Sequence, residues 1–507
     1  MKNKDMILNG KERMAVTIKK IKLTAKFVIG HLNGEHIIYE DGEVVYQGNK
    51  VIYVGKDYAD SVDEIWEQGL SIISPGFIDL DADIDSDHAL MDIAVPDNND
   101  KFVMGAKYRT YNPFSDKDLE ARQRLSIAQL IKNGITTALP ITGENFYEWN
   151  HSLHECSIME KVAKEMGIRI YIGPSFKSRM YQYSEDDKER EKRSVTEALD
   201  FCKNHPYDEE NLINAFVNPC QISITSLETL KEMAYFAQKN KFPYRLHACE
   251  AIREWNYTLP KYRKTTIQLL YDEKMLFNQF IIPHAITVTN EELKLLAETQ
   301  TSIVNTPLAD ANFGTALFSF AKYSSYGVNH TMGTDTQPLD MIRNLRMAWD
   351  LDRLCWRRKF FSKYEDIEDG KIIPLLPDEP TYPKTTGGEI FNAATINGAK
   401  ALARNDIGKL EIGAKADIIV IDLNHLSVGP YQDPIRTLIN SCNGNHVKHT
   451  IINGVVRMKD RKLINFDEQK ILEEAQESFE RFINLYKEFD VFERDVNITY
   501  PPTYKII

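Results

Sequence analysis

The stretch SPGFIDLDADIDSDHAL, residues 74–90, closes an apolar β run at Pro75-Gly76-Phe77-Ile78-Asp79 and then turns acidic. Residues i and i+2 of a strand point to the same side. Asp81 and Asp83 therefore share one wall of the pocket this strand borders. Two carboxylates so placed can bind a divalent ion, make hydrogen bonds at a pocket mouth, or repel one another until one is protonated. Asp79, Asp85, Asp87 and Asp92 add to the negative charge around them. Such a mouth suits a cationic substrate such as a guanidine or amine; the plainer reading is a solvated acidic loop. His88 lies five residues past Asp83, beyond the strand, and reaches the site only if a loop folds it back.

Upstream, IKLTAKFVIG, HIIYEDGEVVYQGNKVIYVG and LSIISPGF are β-branched runs broken by turns at Glu40-Asp41-Gly42 and Gly48-Asn49. Downstream, short apolar segments (GITTALPI, IRIYIGPSF, FPYRLHACE, QFIIPHAITV, QTSIVNTPL, VNHTMGTD) alternate with amphipathic runs such as DKDLEARQRLSIAQLIKNG, ETLKEMAYFAQKN and NEELKLLAET. Strand–helix alternation over about 300 residues predicts a parallel sheet, with a (β/α)8 barrel as the leading form. The β texture returns in GKLEIGAKADIIVIDL and HVKHTIINGVVRMKDRKL. A helix follows, with Leu472, Ala475, Phe479, Phe482 and Tyr486 on one face. The expected organisation is a β part at 1–75, a barrel at 76–400, a second β part at 401–463, and a helix with an extended tail at 464–507. Two β-rich ends flanking a barrel predict one small β domain built from both termini.

Bulk properties narrow the function. The formal charge of −12 argues against nucleic acid or an anionic membrane as main partner. No apolar run approaches the roughly 20 residues of a membrane helix, and the basic N-terminus lacks the apolar stretch of a signal peptide. Cysteines at 156, 202, 220, 249, 355 and 442 show no CxxC spacing. A reducing cytoplasm is the expectation.

Barrel sites lie where strands end, which singles out His247 and Glu250 after FPYRL, His284 after QFIIP, and Asp335 after VNHTMGT. Singly, each has a plain explanation: a hydrogen-bonded core histidine, a helix-start glutamate, a capping aspartate. Jointly they place two imidazoles and two carboxylates around one pocket, as metal-assisted hydrolysis needs.

These motifs, with NGITTALP, FNAATINGAKAL and IGKLEIGAKADIIVIDL, resemble the amidohydrolase superfamily, in the branch of heterocycle deaminases and chlorohydrolases. That branch includes cytosine and guanine deaminases, S-adenosylhomocysteine deaminase and the triazine hydrolases. The likeness spans nearly the whole chain. It implies an α/β fold, a distorted (β/α)8 TIM barrel with a small composite β-sandwich. It also implies one divalent metal ion (Fe, Mn or Zn), with His247, His284 and Asp335 as ligands. His284 would ligate the ion or hydrogen-bond the attacked group, Asp335 would take a proton from the attacking water, and Glu250 would shuttle protons to the ring nitrogen and leaving group. The departure is at the first strand, where Asp81 and Asp83 stand in place of the family's two histidines. Carboxylates favour harder ions and make the ion a poorer Lewis acid.

Three readings follow. The first is a metal-dependent hydrolase of C–N bonds in a small nitrogen-rich heterocycle, with a carboxylate-rich site. The second is a metal-free lyase or isomerase using the remaining acid–base groups. The third is a non-catalytic scaffold, against which the four retained groups speak. Arg109, in a polar loop with Lys101, Lys107 and Tyr111, and Asn305 and Asn312, beside Asp310 in NTPLADANF, are candidate substrate contacts. A small-molecule substrate and a homodimer complete the expectation.

Overall fold

The computed structural model of the protein describes residues 18–84, 114–142, 152–179, 185–317, 319–361 and 384–505. Both ends of the chain build one nine-stranded sheet. Its order is Lys462–Leu463, Val455–Lys459, Val447–Ile452, Ile418–Asp422, Ser71–Pro75, Lys20–Leu32, Glu35–Gln47 and Lys50–Gly55, with Glu64–Glu67 pairing alongside Lys20–Leu32. The N- and C-terminal parts meet where Ser71–Pro75 runs antiparallel to Ile418–Asp422. Buried Leu23, Val28, Val44, Ile73, Ile418 and Val420 form the sheet's own core. The expected β unit from both ends of the chain is present, eight of its nine strands joined in one hydrogen-bonded path.

Ser71–Pro75 passes directly into the first barrel strand, Phe77–Asp83. The link at Gly76 is tight: a Cβ there would lie 2.1 Å from Thr136 Cγ2, so only glycine lets the chain pass. Ile135–Ile141, Arg169–Ile172 and Ile213–Ala215 complete one parallel four-stranded sheet, and Tyr244–Arg245, Phe280–Pro283, Ser302–Asn305 and Asn329–Met332 form another. Both seams are bridged. At one, Val217 pairs with Tyr244, and Arg245 N donates to Val217 O at 3.1 Å. At the other, Ala82 pairs with Asp335, and Asp83 N donates to Asp335 O at 2.8 Å. Isolated bridges thus link the two four-stranded sheets at both seams, in keeping with the (β/α)8 form that the alternation predicts and the distortion that the resemblance implies.

Helices cover the barrel where the periodicity places them. Asp116–Lys132 starts with a capping box between Ser115 and Asp118, and Asn290–Glu298 with one between Thr289 and Glu292. The helix Glu468–Phe489 buries Ile471, Ala475, Ser478, Phe482, Tyr486 and Phe489. Leu472, expected on that face, is exposed. With Ile471 and Leu472 adjacent and both apolar, the phase of the stripe is set by Phe482, Tyr486 and Phe489, which favour Ile471.

Candidate active site

The first, fifth and sixth barrel strands bring three donor groups together. Ligand atoms of Asp81, His247 and His284, all buried, lie within 4.8 Å of one another, the one such group among the described residues. Asp81 Oδ2 is 3.6 Å from His247 Nε2, and the His247 and His284 rings are 5.5 Å apart between centroids. The first strand is held against the end of the eighth by very close packing. A Cβ on Gly333 would lie 2.9 Å from that of Asp81, which explains the glycine of MGTD.

The backbone is strained here. Cys249, His284, Ala285 and Asp335 adopt φ of 60°, 64°, 51° and 54°. Left-handed backbone at non-glycine residues persists only where its surroundings impose it, and it clusters at functional sites.

Each carboxylate of the first strand has its own surroundings. Asp79 Oδ1 accepts from the amides of Asp81 and Thr334, each at 3.1 Å, and its Oδ2 accepts from Thr334 Oγ1 at 2.6 Å. It clamps the first strand to the eighth, and burial raises its pKa to about 7 despite these donors. Asp81 is fully buried, and its Oδ1 faces the equally buried Arg245 Nη1 at 3.0 Å. Burial opposes its ionisation, but the charges of His247 and Arg245 outweigh this and hold its pKa below the usual value.

Asp83 is buried at the strand end, and Asp335 is half-buried beside it. Their backbones are paired, yet neither joins the three-donor cluster. Burial drives Asp335 well above its usual pKa; His284 and His247 oppose this while Asp81 and Asp83 reinforce it.

His284 is oriented from behind. Its Nδ1 is 3.1 Å from Asp310 Oδ1 and 3.0 Å from Thr306 Oγ1, and Thr306 Oγ1 donates to Asp310 Oδ2 at 3.2 Å. Burial disfavours the imidazolium, but Asp310, Asp335 and Glu250 together raise the His284 pKa to about 9. With Nδ1 committed, Nε2 is the atom left for the pocket. Glu250, half-buried, follows His247 by three residues.

Of the expected substrate contacts, Asn305 is buried at the end of the seventh strand, and its Oδ1 has no hydrogen-bond partner among the described residues. Asn312 is exposed at the end of the helix Pro307–Asn312. Arg109, with Lys101, Lys107 and Tyr111, and His88, Asp85, Asp87 and Asp92 lie outside the described residues.

The chain is similar to known proteins over most of its length. The profile described as "Amidohydrolase family" matches residues 72–457. The chain belongs to the amidohydrolase family. A 5-methylthioadenosine/S-adenosylhomocysteine deaminase of Thermococcus sibiricus is 27% identical over 438 residues, covering 83% of this chain and 92% of the relative. A 5'-deoxyadenosine deaminase of Methanosphaera stadtmanae is 25% identical over 365 residues, covering 71% of this chain and 76% of the relative. Among solved structures, a zinc-bound adenosine deaminase from Xanthomonas campestris superposes with a TM-score of 0.72 at 18% identity, covering 92% of this chain and 98% of that one. An atrazine chlorohydrolase mutant from Arthrobacter aurescens, with zinc and atraton, gives 0.76 at 19%, covering 90% and 100%. At those identities the structural likeness speaks for the fold.

For this amidohydrolase, the donor chemistry fits a divalent ion. Two imidazoles and one carboxylate are a set that Zn and Fe(II) accept. Both carboxylate oxygens of Asp81 are buried, Oδ1 ion-paired with Arg245 and Oδ2 facing His247. Sequence reasoning missed Arg245 and the positioning role of Asp310. The rule that pairs Asp81 with Asp83 also places Arg245 on the side of His247.

Proposed function

We propose that this amidohydrolase is a metal-dependent deaminase of an aminated purine nucleoside, holding its ion through Asp81, His247 and His284, with Asp83 and Asp335 alongside. The observation that carries the reading is the convergence of those three donor atoms within 4.8 Å at the strand ends where Glu250 and Asp335 also stand. The substrate class is supported by the deaminases of 5'-substituted adenosines to which the chain is similar over most of its length. A bound divalent ion supplies Lewis acidity and an activated water at neutral pH. Asp335 accepts the proton that the attacking water gives up. Glu250 delivers a proton to the ring nitrogen as water adds at the amino-bearing carbon, takes up the proton of the resulting hydroxyl and passes it to the departing amine; ammonia leaves, a carbonyl remains, and the proton held by Asp335 resets Glu250. Asp310 and Thr306 hold His284 in one orientation, and Asn305 offers a carbonyl oxygen to the substrate.

The test is metal content and ammonia release by protein purified without chelator, on a panel of 5'-substituted adenosines, free aminopurines, aminopyrimidines and guanidines. The expected result is close to one equivalent of divalent ion and chelator-sensitive ammonia release from an adenosine. Less than roughly a tenth of an equivalent, with activity intact after chelation, sinks the metal-dependent reading. Release only from non-purine substrates sinks the substrate class.

We extend the proposal to a cytoplasmic homodimer. Buried cysteines at 156, 202, 220, 249 and 442, none in a disulfide, suit a reducing compartment. Exposed Val491, Phe492, Ile498 and Tyr504 near the C-terminus offer apolar surface for a second copy. Light scattering that finds only monomer at micromolar concentration removes the dimer. No helix among the described residues is long and apolar enough to cross a membrane.

A further inference from the structure

Arg245 is a charged side chain against the donor cluster to which the proposed reaction gives no role. It precedes His247 by two residues, so both project to the same side of the fifth strand. Its guanidinium is fully buried, 3.0 Å from Asp81 Oδ1. It is fixed from several neighbours: Nη1 donates to Leu139 O at 3.1 Å, Nη2 to Asn218 Oδ1 at 3.3 Å, and the Phe216 ring lies 5.1 Å from its centre. Asn218 is itself held, donating from Nδ2 to Thr142 Oγ1 and Gly173 O, each at 3.1 Å. A guanidinium anchored this way cannot swing clear of Asp81. Asp81 therefore has Oδ1 ion-paired with Arg245 at 3.0 Å and Oδ2 turned toward His247, 3.6 Å from its Nε2.

We propose that Arg245 is a positioning residue that makes Asp81 a one-oxygen, charge-neutral donor to the divalent ion. The inference rests on the metal-dependent reading above. Paired with a guanidinium, the carboxylate carries no net charge, as a neutral imidazole carries none. An ion held by Asp81, His247 and His284 then meets three formally neutral donors and keeps its Lewis acidity, which an unpaired carboxylate would lower. The pair also settles which oxygen binds: Oδ1 faces Arg245, so Oδ2 is the donor.

The test is a double-mutant cycle on the full-length chain, with Zn²⁺ as probe. Zn²⁺ affinity is read by competition with a chromophoric chelator, and thermal midpoints are read with and without Zn²⁺. Asp81→His alone leaves a fixed cation beside an imidazole, and its Zn²⁺ affinity is expected to fall by more than about tenfold. Asp81→His with Arg245→Met removes that cation and is expected to return to within roughly threefold of the native chain. Arg245→Met alone leaves an unpaired buried carboxylate. Its metal-free midpoint drops, and Zn²⁺ raises that midpoint by more than it raises the native one. Equal Zn²⁺ affinity of Asp81→His with and without Arg245, or a midpoint loss in Arg245→Met that Zn²⁺ does not lessen, overturns the proposal. So does failure of both Arg245→Met variants to fold, because Arg245 would then serve barrel packing alone. A native chain that takes up no divalent ion overturns the metal-dependent reading itself; a metal-binding native chain with a flat cycle overturns only the role of Arg245.

Discussion

Two fully buried arginine–aspartate pairs stand at different places in the fold. Arg169, first residue of the third barrel strand, reaches Asp417 beside the composite sheet at 3.0 Å. Arg245 reaches Asp81 at the same distance. The surroundings differ. Asp417 Oδ1 also accepts from Asn453 N at 2.7 Å, so that pair is knitted into a turn of the sheet. Asp81 Oδ2 is turned instead toward an imidazole. Breaking a buried pair is costly because the surviving charge is left uncompensated, whether or not the intact pair stabilises the fold. One pair therefore acts as a fastening between barrel and sheet, and the other borders the proposed donor cluster. A metal ion distinguishes them, since it can compensate one surviving carboxylate and not the other.

The largest expected effect is at the mouth. Glu250→Gln keeps the shape and removes the proposed proton carrier. Ammonia release should fall by roughly 10²- to 10⁴-fold in kcat/KM while the urea midpoint stays put. A comparable loss of midpoint would instead place Glu250 in the structural class with Arg169. Next comes Arg169→Met, which strands Asp417 and should cost about 3–5 kcal/mol in urea unfolding. The loss should be the same with and without Zn²⁺; a Zn²⁺-dependent loss would break the comparison. Third is Asp310→Asn, which loosens the orientation of His284. Metal affinity should drop about 10- to 100-fold, with a smaller change in metal-free stability. Unchanged affinity would show that Thr306 alone holds the ring.

Much of this was legible in the sequence, for physical reasons. Strand–helix alternation encodes a barrel locally, so GITTALPI and QTSIVNTPL read as barrel strands before any contact is known. His247, His284 and Asp335 stood out because each follows an apolar run, where barrel strands end. Arg245 did not, because in FPYRLHACE it looks like a charge on a strand margin. Its meaning depends on Asp81, 164 positions away in the chain, and on closure at the seam between Val217 and Tyr244. Asp310 reads as an ordinary acid in the first turn of a helix and gains its role only because the sixth and seventh strands are neighbours. The first-strand carboxylates were visible, but their division of labour was not. Asp79 clamps strands together and Asp81 faces the cluster, a difference set by Thr334 and Arg245 rather than by the first strand's own sequence.

The gentlest probe of the two regions is acid, acting through histidines buried in the neutral form. His449 lies in the composite sheet, accepts from Asp460 N at 3.1 Å through Nδ1, and has Nε2 2.9 Å from Gln68 Oε1. That arrangement requires the neutral ring, and burial lowers its pKa from 6.5 to about 4. His330 lies in the eighth barrel strand, stacked on Phe320 at 3.7 Å, and burial lowers its pKa from 6.5 to about 3. In both cases the unfolded chain binds a proton that the folded chain refuses. Their contribution is therefore complete above about pH 6.5 and is lost as pH falls, down to about 4 for His449 and about 3 for His330. Within that window each should add about 1.4 kcal/mol per pH unit to the slope of unfolding free energy. Urea titrations from pH 7 to 4.5 should show the slope, reduced by one histidine's share in His449→Gln and again in His330→Phe. If His449→Gln flattens the curve and His330→Phe does not, the sheet rather than the barrel carries the acid sensitivity. Unchanged slopes in both would mean that these rings take up protons in the folded chain.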